Sequence, residues 1–271
     1  HILRSRSPWL HEQEATAQGF RLSYELFDFA DRGWSDDRLA TLLTEAERSG
    51  FAGLNITYPF KQLVMPLLSG GSPGARRVGA VNTVAFVNGE RIGYNTDVTG
   101  FEESFVAGLP QAPLERVVLL GAGGAGAAVA QALLTLGAKH IEIFDTNSAR
   151  QTALVERLSA QANEPRVAAG SNLAVAMRAA DGLINATPVG MTKNPGLPID
   201  VALLEPNHWV ADVVYVPLET QLLAVARKRG CQTLAGGGMA VCQAAAAFEI
   251  FTGRTADRDR MRVSFAKFPE V

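Results

Sequence analysis

The sequence predicts an α/β protein with a doubly wound parallel sheet, and three observations support this prediction. Short apolar runs rich in β-branched residues alternate along the chain with segments whose apolar residues recur at helical spacing. The stretch V-V-L-L-G-A-G-G-A-G at 117–126 passes from such a run into a glycine-rich turn. The 271 residues, 47% hydrophobic and 19% charged, suffice for one large domain or two modest ones.

Composition and charge narrow the range of partners. The formal net charge is −2, so no basic field attracts nucleic acid or an anionic membrane, and a small-molecule partner is favoured. Cys231 and Cys242 belong to no metal-binding or disulfide pattern, and we expect both to be reduced and buried. We predict a cytoplasmic protein, since no 18-residue apolar run or secretory signal is recognisable. The sequence opens on His1, and the polar stretch at 4–7 resembles the turn after a strand, so we expect that a short first strand is missing from this sequence.

The glycine turn predicts a Rossmann-like dinucleotide site. A helix is expected from Ala125, with Gly137 as its C-cap, followed by a strand at 140–144. Strand, glycine turn, helix and strand form the βαβ unit with the G-x-G-x-x-G fingerprint. Its glycines allow a tight turn, a close approach to the pyrophosphate and close packing of helix on strand, and they are Gly121, Gly123 and Gly126. The helix N-terminus favours the pyrophosphate charge.

Asp145 predicts which dinucleotide binds. It lies at the end of the second strand, where a carboxylate hydrogen-bonds the adenosine ribose hydroxyls and repels a 2′-phosphate. We therefore predict NAD rather than NADP. The alternative is that Asp145 only caps the next helix, since Thr146, Asn147 and Ser148 are cap formers too.

Polar residues cluster at several points before the glycine turn. A strand is predicted at 23–29, and a second begins at Gly53 and ends near Lys61, so that Asn55, Thr57 and Lys61 converge on a cleft at the strand ends. The alternative for Lys61 is a solvated lysine at a helix start. An Asn88-Gly89 turn predicts a hairpin between strands at 84–87 and 92–94.

Other segments have two interpretations each. Ser7 suits the cap of a helix at 9–17, whereas the hydroxyls of Ser5 and Ser7 together suit a carboxylate receptor. Asn95 and Asp97 follow the hairpin as turn formers or site residues. The small-residue turn at 186–191, which includes Thr187, Pro188 and Val189, suits close approach by a nicotinamide ring or is a plain proline turn.

The remaining chain continues the alternation. We predict a helix at 102–109, a linker at 110–113 that marks a domain boundary, a loop at 162–166 and a strand at 209–215. An Ala-rich helix at 240–251 carries Gln243 as its long polar side chain. A final amphipathic helix is expected within 254–271, with Met261 and Phe265 inward.

Taken together and in order, these motifs resemble the shikimate dehydrogenase family over nearly the whole chain. The matching segments are S-R-S-P at 5–8, N-I-T-Y-P-F-K at 55–61, G-A-V-N-T at 79–83, G-Y-N-T-D at 93–97, G-A-G-G-A-G at 121–126, N-A-T-P-V-G-M at 185–191 and G-G-G-M…Q at 236–243. The resemblance is greatest to the NAD-dependent quinate/shikimate branch, because Asp145 replaces the Asn-Arg-Thr type of segment in NADP-dependent relatives.

The resemblance implies two α/β domains and a role for each motif. It implies a substrate domain at 1–101, a dinucleotide domain at 102–236 and C-terminal helices at 237–271 that return to the substrate domain. The resemblance implies that Lys61 and Asp97 are the catalytic pair. Substrate contacts are expected from Ser5, Ser7, Asn55, Thr57, Asn82, Tyr215 and Gln243. Cofactor contacts are expected from Gly121, Gly123, Gly124, Ala125, Gly126, Asp145, Thr187, Pro188, Val189, Val214, Gly238 and Met239.

The activity implied is oxidation of a ring secondary alcohol of shikimate or quinate by NAD, with no metal. Lys61 is the candidate for moving the hydroxyl proton, and Asp97 for orienting it. An aminated analogue or another cyclitol acid, a methylene-tetrahydrofolate dehydrogenase and a catalytically weak NAD-binding sensor are the alternatives. A homodimer is left open.

Overall fold

The computed structural model describes residues 2, 3, 5–160 and 166–268, so most of the loop expected at 162–166 lies outside it. The chain forms two compact units. The first unit comprises residues 1–96 and 241–271, and the second unit comprises residues 97–240. The sequence places the corresponding boundaries at 101/102 and 236/237.

Helices and strands alternate through most of the described chain. The helices are α1 (Ser7–Ala17), α2 (Arg38–Arg48), α3 (Phe60–Leu63), α4 (Pro73–Val78), α5 (Thr96–Gly108), α6 (Gly124–Thr135), α7 (Ser148–Ser159), α8 (Leu173–Arg178), α9 (Gln221–Lys228), α10 (Gly237–Thr252) and α11 (Arg258–Ala266). The strands are β1 (Gly53–Asn55), β2 (Gly70–Gly71), β3 (Thr83–Val87), β4 (Glu90–Tyr94), β5 (Arg116–Leu120), β6 (His140–Phe144), β7 (Val167–Ala169), β8 (Gly182–Asn185), β9 (Trp209–Asp212) and β10 (Gln232–Ala235). Single 3-10 turns lie at Met65–Leu67 and Val201–Leu203.

The first unit contains a four-stranded mixed sheet in the order β1-β3-β4-β2. The hairpin β3–β4 is confirmed: Asn88 and Gly89 have φ values of 52° and 77°, the left-handed conformation that a type I′ turn requires. The core of the first unit is built from buried apolar side chains of α2, α4 and β3 and of the segments that follow β1 and precede β3. These include Leu39, Leu43, Ile56, Val64, Ala75, Val81 and Val84.

The predicted strand at 23–29 is wrong. Residues 21–28 form no strand ladder, because no neighbouring strand hydrogen-bonds to them. A groove of about 840 Å³ is lined by this segment and by residues 49–60, which include β1. One edge of β1 pairs with β3, and the segment 21–28 lies along the groove without joining the sheet.

Helices α1, α10 and α11 complete the first unit. The buried Arg6 donates from its guanidinium to the carbonyl of Phe265 at 3.0 Å, and the Trp9 indole donates to the carbonyl of Ser264 at 2.8 Å. These bonds tie the start of α1 to α11. Met261 and Phe265 point inward, as predicted, and are 0% and 6% exposed.

The second unit is the predicted doubly wound domain. Its six strands are all parallel and lie in the order β10-β9-β8-β5-β6-β7. The strand order therefore changes direction between β5 and β8, because β6 and β7 lie on one side of β5 and the later strands lie on the other. The strand at 209–215 is shorter than predicted, since β9 ends at Asp212. The helix expected at 102–109 begins earlier, at Thr96, because Asn82 binds the backbone N–H of that residue. Trp209 is buried with its ring 5.1 Å from that of Phe105.

The structure also describes the two cysteines and the length and hydropathy of the helices. Cys231 and Cys242 are buried cysteine thiols, as expected. In the part of the chain that the structure describes, no helix is both long enough and apolar enough to cross a bilayer.

Candidate active site

The glycine turn forms the cradle predicted for a pyrophosphate. Gly121 has a φ of 100°, and a Cβ there would lie 2.8 Å from the carbonyl oxygen of Ala186. A Cβ on Gly126 would overlap the carbonyl oxygen of Gly121. In contrast, nothing lies within 4 Å of a Cβ built on Gly123. Helix α6 begins at Gly124, one residue before the predicted Ala125, with Gly123 at its N-cap. These residues fit a dinucleotide pyrophosphate.

Asp145 is bound to the glycine turn and does not cap the next helix. Its Oδ2 accepts from the N–H of Ala122 at 2.7 Å, and its Oδ1 accepts from the N–H of Asn147 at 2.8 Å. The cap of α7 is Asn147, whose side chain accepts from the N–H of Arg150. The carboxylate therefore lies beside the cradle, with lone pairs left for further donors.

Asn185, the last residue of β8, forms hydrogen bonds with the turn at 187–189. Asn185 Oδ1 accepts from the N–H of Thr187 at 3.1 Å and from its hydroxyl at 2.6 Å. Its Nδ2 donates to the carbonyl of Val189 at 2.9 Å, and Thr187 Oγ1 accepts from the N–H of Val189 at 3.2 Å. Pro188 is exposed at the tip. Four hydrogen bonds thus hold this segment in one conformation.

The other predicted cofactor residues of the second unit lie beyond β9 and at the start of α10. Val214 is buried and donates its N–H to Asp212, and Tyr215 next to it is half-buried. A Cβ on Gly238 would overlap the hydroxyl of Ser104, so α10 and α5 approach closely there. Met239 follows and is 9% exposed.

The first unit brings two predicted substrate residues, Asn55 and Asn82, into one hydrogen-bonded network. Asn82 Nδ2 donates to the hydroxyl of Thr96 at 2.9 Å, and its Oδ1 accepts from the Thr96 N–H at 2.7 Å. Asn55 Nδ2 donates to Thr83 Oγ1 at 3.0 Å, while Asn55 Oδ1 accepts from the Tyr24 hydroxyl at 3.0 Å. Both asparagines are thus oriented by protein partners.

The predicted catalytic pair occupies helix positions. Lys61 lies in α3, not at the end of a strand as predicted, because β1 ends at Asn55 and the chain turns before Pro59. Its carbonyl accepts from the N–H of Val81 at 2.8 Å, which places its backbone next to the Asn82 segment. Asp97 follows Thr96 in the first turn of α5, where the helix dipole favours a carboxylate, and is 7% exposed. Asp97 is a helix residue rather than a turn former.

The remaining predicted residues lie on the surface of the first unit or partly within it. Ser5 Oγ accepts from the N–H of Ser7 at 3.3 Å, and α1 begins at Ser7 with Arg6 at the N-cap, so the proposed capping role of Ser7 is wrong. Thr57 is exposed, and Gln243 on α10 is half-buried.

Several polar residues of these networks were missed by sequence reasoning. Tyr24, Thr83, Thr96 and Asp212 each contact a predicted site residue, and Thr220 contacts Asp212. The one local signal is a polar residue at the end of an apolar strand, which singles out Asp212 after W-V-A.

Comparisons with known proteins find similar domains along most of the chain. The family model described as "Shikimate dehydrogenase substrate binding domain" matches residues 1–84, and "Shikimate 5'-dehydrogenase C-terminal domain" matches 236–262. The intervening residues 96–208 match "Alanine dehydrogenase/PNT, C-terminal domain". The "Shikimate dehydrogenase (NADP(+))" of Streptomyces avermitilis is 52% identical over 265 residues, which cover 97% of this chain and 91% of that protein. The chain belongs to the shikimate dehydrogenase family.

Other members of the shikimate dehydrogenase family carry different cofactor names. The "Quinate/shikimate dehydrogenase (NAD(+))" of Corynebacterium efficiens is 46% identical, with 97% of this chain and 94% of that protein covered. Among solved structures, quinate dehydrogenase from Corynebacterium glutamicum in complex with NAD superposes with a TM-score of 0.93 at 43% identity, covering 99% of this chain and 96% of that one. The two-domain α/β fold predicted from the sequence is that of the family.

Proposed function

We propose that the chain is an NAD-dependent dehydrogenase that interconverts a ring secondary alcohol and the ketone of a cyclohexane or cyclohexene carboxylate, with quinate and shikimate as substrates. The observation that carries the cofactor part is the Asp145 carboxylate, which is bound to the N–H of Ala122 within the glycine turn. The substrate part is supported by the two asparagine networks of the first unit and by similarity to relatives named for quinate and shikimate.

The preference for NAD follows from charge. A carboxylate at this position accepts hydrogen bonds from ribose hydroxyls and repels a 2′-phosphate. Relatives of both kinds are similar to this chain, since the Streptomyces protein is named for NADP and the Corynebacterium proteins for NAD. Asp145 is therefore the residue on which the cofactor preference of this chain rests.

The polar residues of the first unit suit a polyhydroxylated carboxylate. The hydroxyls of Ser5 and Ser7 lie on one short segment that Arg6 and Trp9 anchor to α11, and hydroxyl donors of this kind bind a carboxylate. Asn55 and Asn82 are held by protein partners in single orientations, so their remaining donor and acceptor positions can select ring hydroxyls. Thr57 and Gln243 are assigned to the same task.

Proton transfer is assigned to Lys61. A bound nicotinamide supplies the hydride acceptor for oxidation and the hydride donor for reduction. The amine of Lys61 takes the proton of the substrate hydroxyl during oxidation and returns it during reduction. Asp97, at the N-terminus of α5, is assigned the orientation of that hydroxyl and of the amine.

Initial rates with four substrate and cofactor pairs test this function. The parent is expected to reduce NAD with quinate or shikimate at a kcat/KM at least about tenfold above that with NADP, and Asp145→Ala should remove most of this preference. Asp200→Asn, which changes an exposed carboxylate that caps a 3-10 turn, should keep it. A parent that prefers NADP would disprove the cofactor assignment. Binding of NAD without turnover of either acid would favour the sensor alternative.

A further inference from the structure

Two buried polar residues face each other at the carboxyl ends of adjacent strands in the second unit. Asn185 ends β8 and Asp212 ends β9, and they are paired in the parallel register. They are 0% and 2% exposed. Ligands of open parallel sheets bind at this edge, yet neither residue is needed as a direct ligand in the proposed function.

Asp212 receives hydrogen bonds from three different elements. Its Oδ1 accepts from Asn185 Nδ2 at 3.0 Å and from the N–H of Val214 at 3.0 Å. Its Oδ2 accepts from the hydroxyl of Thr220, the N-cap of α9, at 2.7 Å. An ionised carboxylate is an acceptor only, so all three contacts suit the charged form. Burial raises the pKa of Asp212 to about 6, although the three donors lower it in part.

The carboxylate also decides which way the Asn185 amide faces. Because Asp212 has no proton to donate when ionised, the NH₂ group of Asn185 must point toward it. The amide oxygen then faces the other way, where it accepts from the N–H and the hydroxyl of Thr187. Without an acceptor at position 212 the amide could rotate by half a turn and release both bonds.

The same carboxylate thus holds two separate loops. One is 187–189, held through Asn185, and the other begins at Val214, held directly. Both loops contain residues assigned above to the cofactor. Buried charge-assisted networks with every member satisfied are rigid, so the loops keep one conformation before a ligand arrives.

We propose that Asp212 is the positioning residue for the nicotinamide half of the cofactor site, acting through Asn185 on the 187–189 loop and directly on the loop after β9. This proposal rests on the proposed function for the identity of the cofactor. It predicts that Asp212 affects the nicotinamide half and has no effect on the adenine half, which the glycine turn and Asp145 would hold.

Binding of two probes separates the halves. NAD carries both halves of the cofactor, whereas ADP-ribose lacks the nicotinamide. Asp212→Leu, which removes every acceptor at this position, is expected to weaken NAD about tenfold, the equivalent of one lost hydrogen bond to a charged group, and to leave the Kd for ADP-ribose unchanged. In steady-state assays the KM for NAD should rise with an unchanged KM for quinate or shikimate. Asp181→Asn alters an aspartate at the opposite end of β8, bound to the N–H of Arg116, and should change neither affinity.

A milder variant tests the amide argument. Asp212→Asn keeps one acceptor oxygen for Asn185 and Val214 but loses the charge, so it is expected to weaken NAD less than Asp212→Leu does. If Asp212→Leu does not fold, as loss of ADP-ribose binding would show, Asp212→Asn and Thr220→Val serve as the test, and each should weaken NAD selectively by a smaller factor.

The outcomes separate the two levels of inference. Equal weakening of NAD and ADP-ribose in the folded variants, or unchanged NAD binding, would overturn the positioning role and leave the proposed function intact. A parent that binds neither probe would overturn the proposed function itself. A merely structural role would lower the fraction of active enzyme with both Michaelis constants unchanged.

Discussion

The first unit buries His11 with one ring nitrogen unpartnered, whereas the second unit buries Asp212 with three hydrogen-bond donors. His11 is 1% exposed, and its Nδ1 is bonded to the carbonyl of Ser7 at 2.9 Å. Among the described residues, its Nε2 is the single buried side-chain nitrogen or oxygen without a hydrogen-bond partner. His11 lines the groove next to the segment 21–28.

The difference teaches how each unit treats its polar core. In the second unit the polar groups at the strand ends satisfy one another, so the loops they hold are preorganised. In the first unit, the Asn82 and Asn55 networks are satisfied in the same way, but the side of β1 that faces the groove has an unpartnered histidine and an extended segment outside the sheet. An unsatisfied buried group costs about 1–3 kcal/mol. We therefore expect this side of the first unit to be the less stable region.

The largest expected effect tests the division of labour between the units. If the first unit moves the proton and the second holds the dinucleotide, Lys61→Ala should lower kcat by about 10²–10⁴-fold and leave the Kd for NAD unchanged. Steady-state assays measure the loss of kcat, and a titration with NAD measures the unchanged Kd. Lys139→Ala, an exposed lysine of the second unit, is the matched control and should behave as the parent. Turnover within about tenfold of the parent would remove Lys61 from the mechanism.

The next effect separates stability from binding within the glycine turn. Gly126→Ala should lower the free energy of unfolding by about 3 kcal/mol or more, because the added Cβ overlaps the backbone of Gly121. Gly123→Ala should fold like the parent, since its Cβ enters open space, and should weaken NAD about tenfold by blocking the approach of the pyrophosphate. Urea unfolding and NAD titration measure the pair. Equal stability of the two variants would contradict the close approach seen at Gly126.

The smallest expected effect is on the pH dependence of stability, in which the buried His11 and the buried Asp212 should differ. Burial lowers the pKa of His11 to about 4, although its bond to Ser7 raises it in part. The unfolded chain binds a proton below pH 6.5 and the folded chain does not, so stability is lost as the pH falls from 6.5 toward 4, by about 3 kcal/mol in full. His11→Phe, which keeps a ring beside Tyr24 and Phe248, should remove this loss.

Asp212 changes the stability with pH in the opposite direction. Its pKa is raised from 3.8 to about 6, so the folded state holds the proton more tightly and stability falls as the pH rises through this range. Urea unfolding at several pH values should show Asp212→Asn losing more stability than the parent toward pH 4, and His11→Phe losing less. Parallel curves for the two variants would show that the two buried groups do not differ in this way.

Much of the fold follows from local sequence. The Asn88-Gly89 turn, the glycine cradle with α6 and the amphipathic α11 were predictable, because each depends on backbone conformation or side-chain periodicity within a few residues. The roles of Lys61, Asp97, Ser5, Ser7 and the other assigned residues remain predictions. For Asp145 the sequence left two interpretations, and the structure excluded capping because Asn147 is the N-cap of α7.

The sequence by itself determined the family, the parallel sheet and the position of the dinucleotide turn, since these depend on motifs that are contiguous or regularly spaced. Only the tertiary structure decided that residues 21–28 stay outside the sheet, that Lys61 lies in α3 and that Asp212, Asn185 and Thr220 form one network. The reason is physical. A strand exists only with a hydrogen-bonded neighbour, and a buried carboxylate is oriented by donors that lie as far as 27 residues away in the chain.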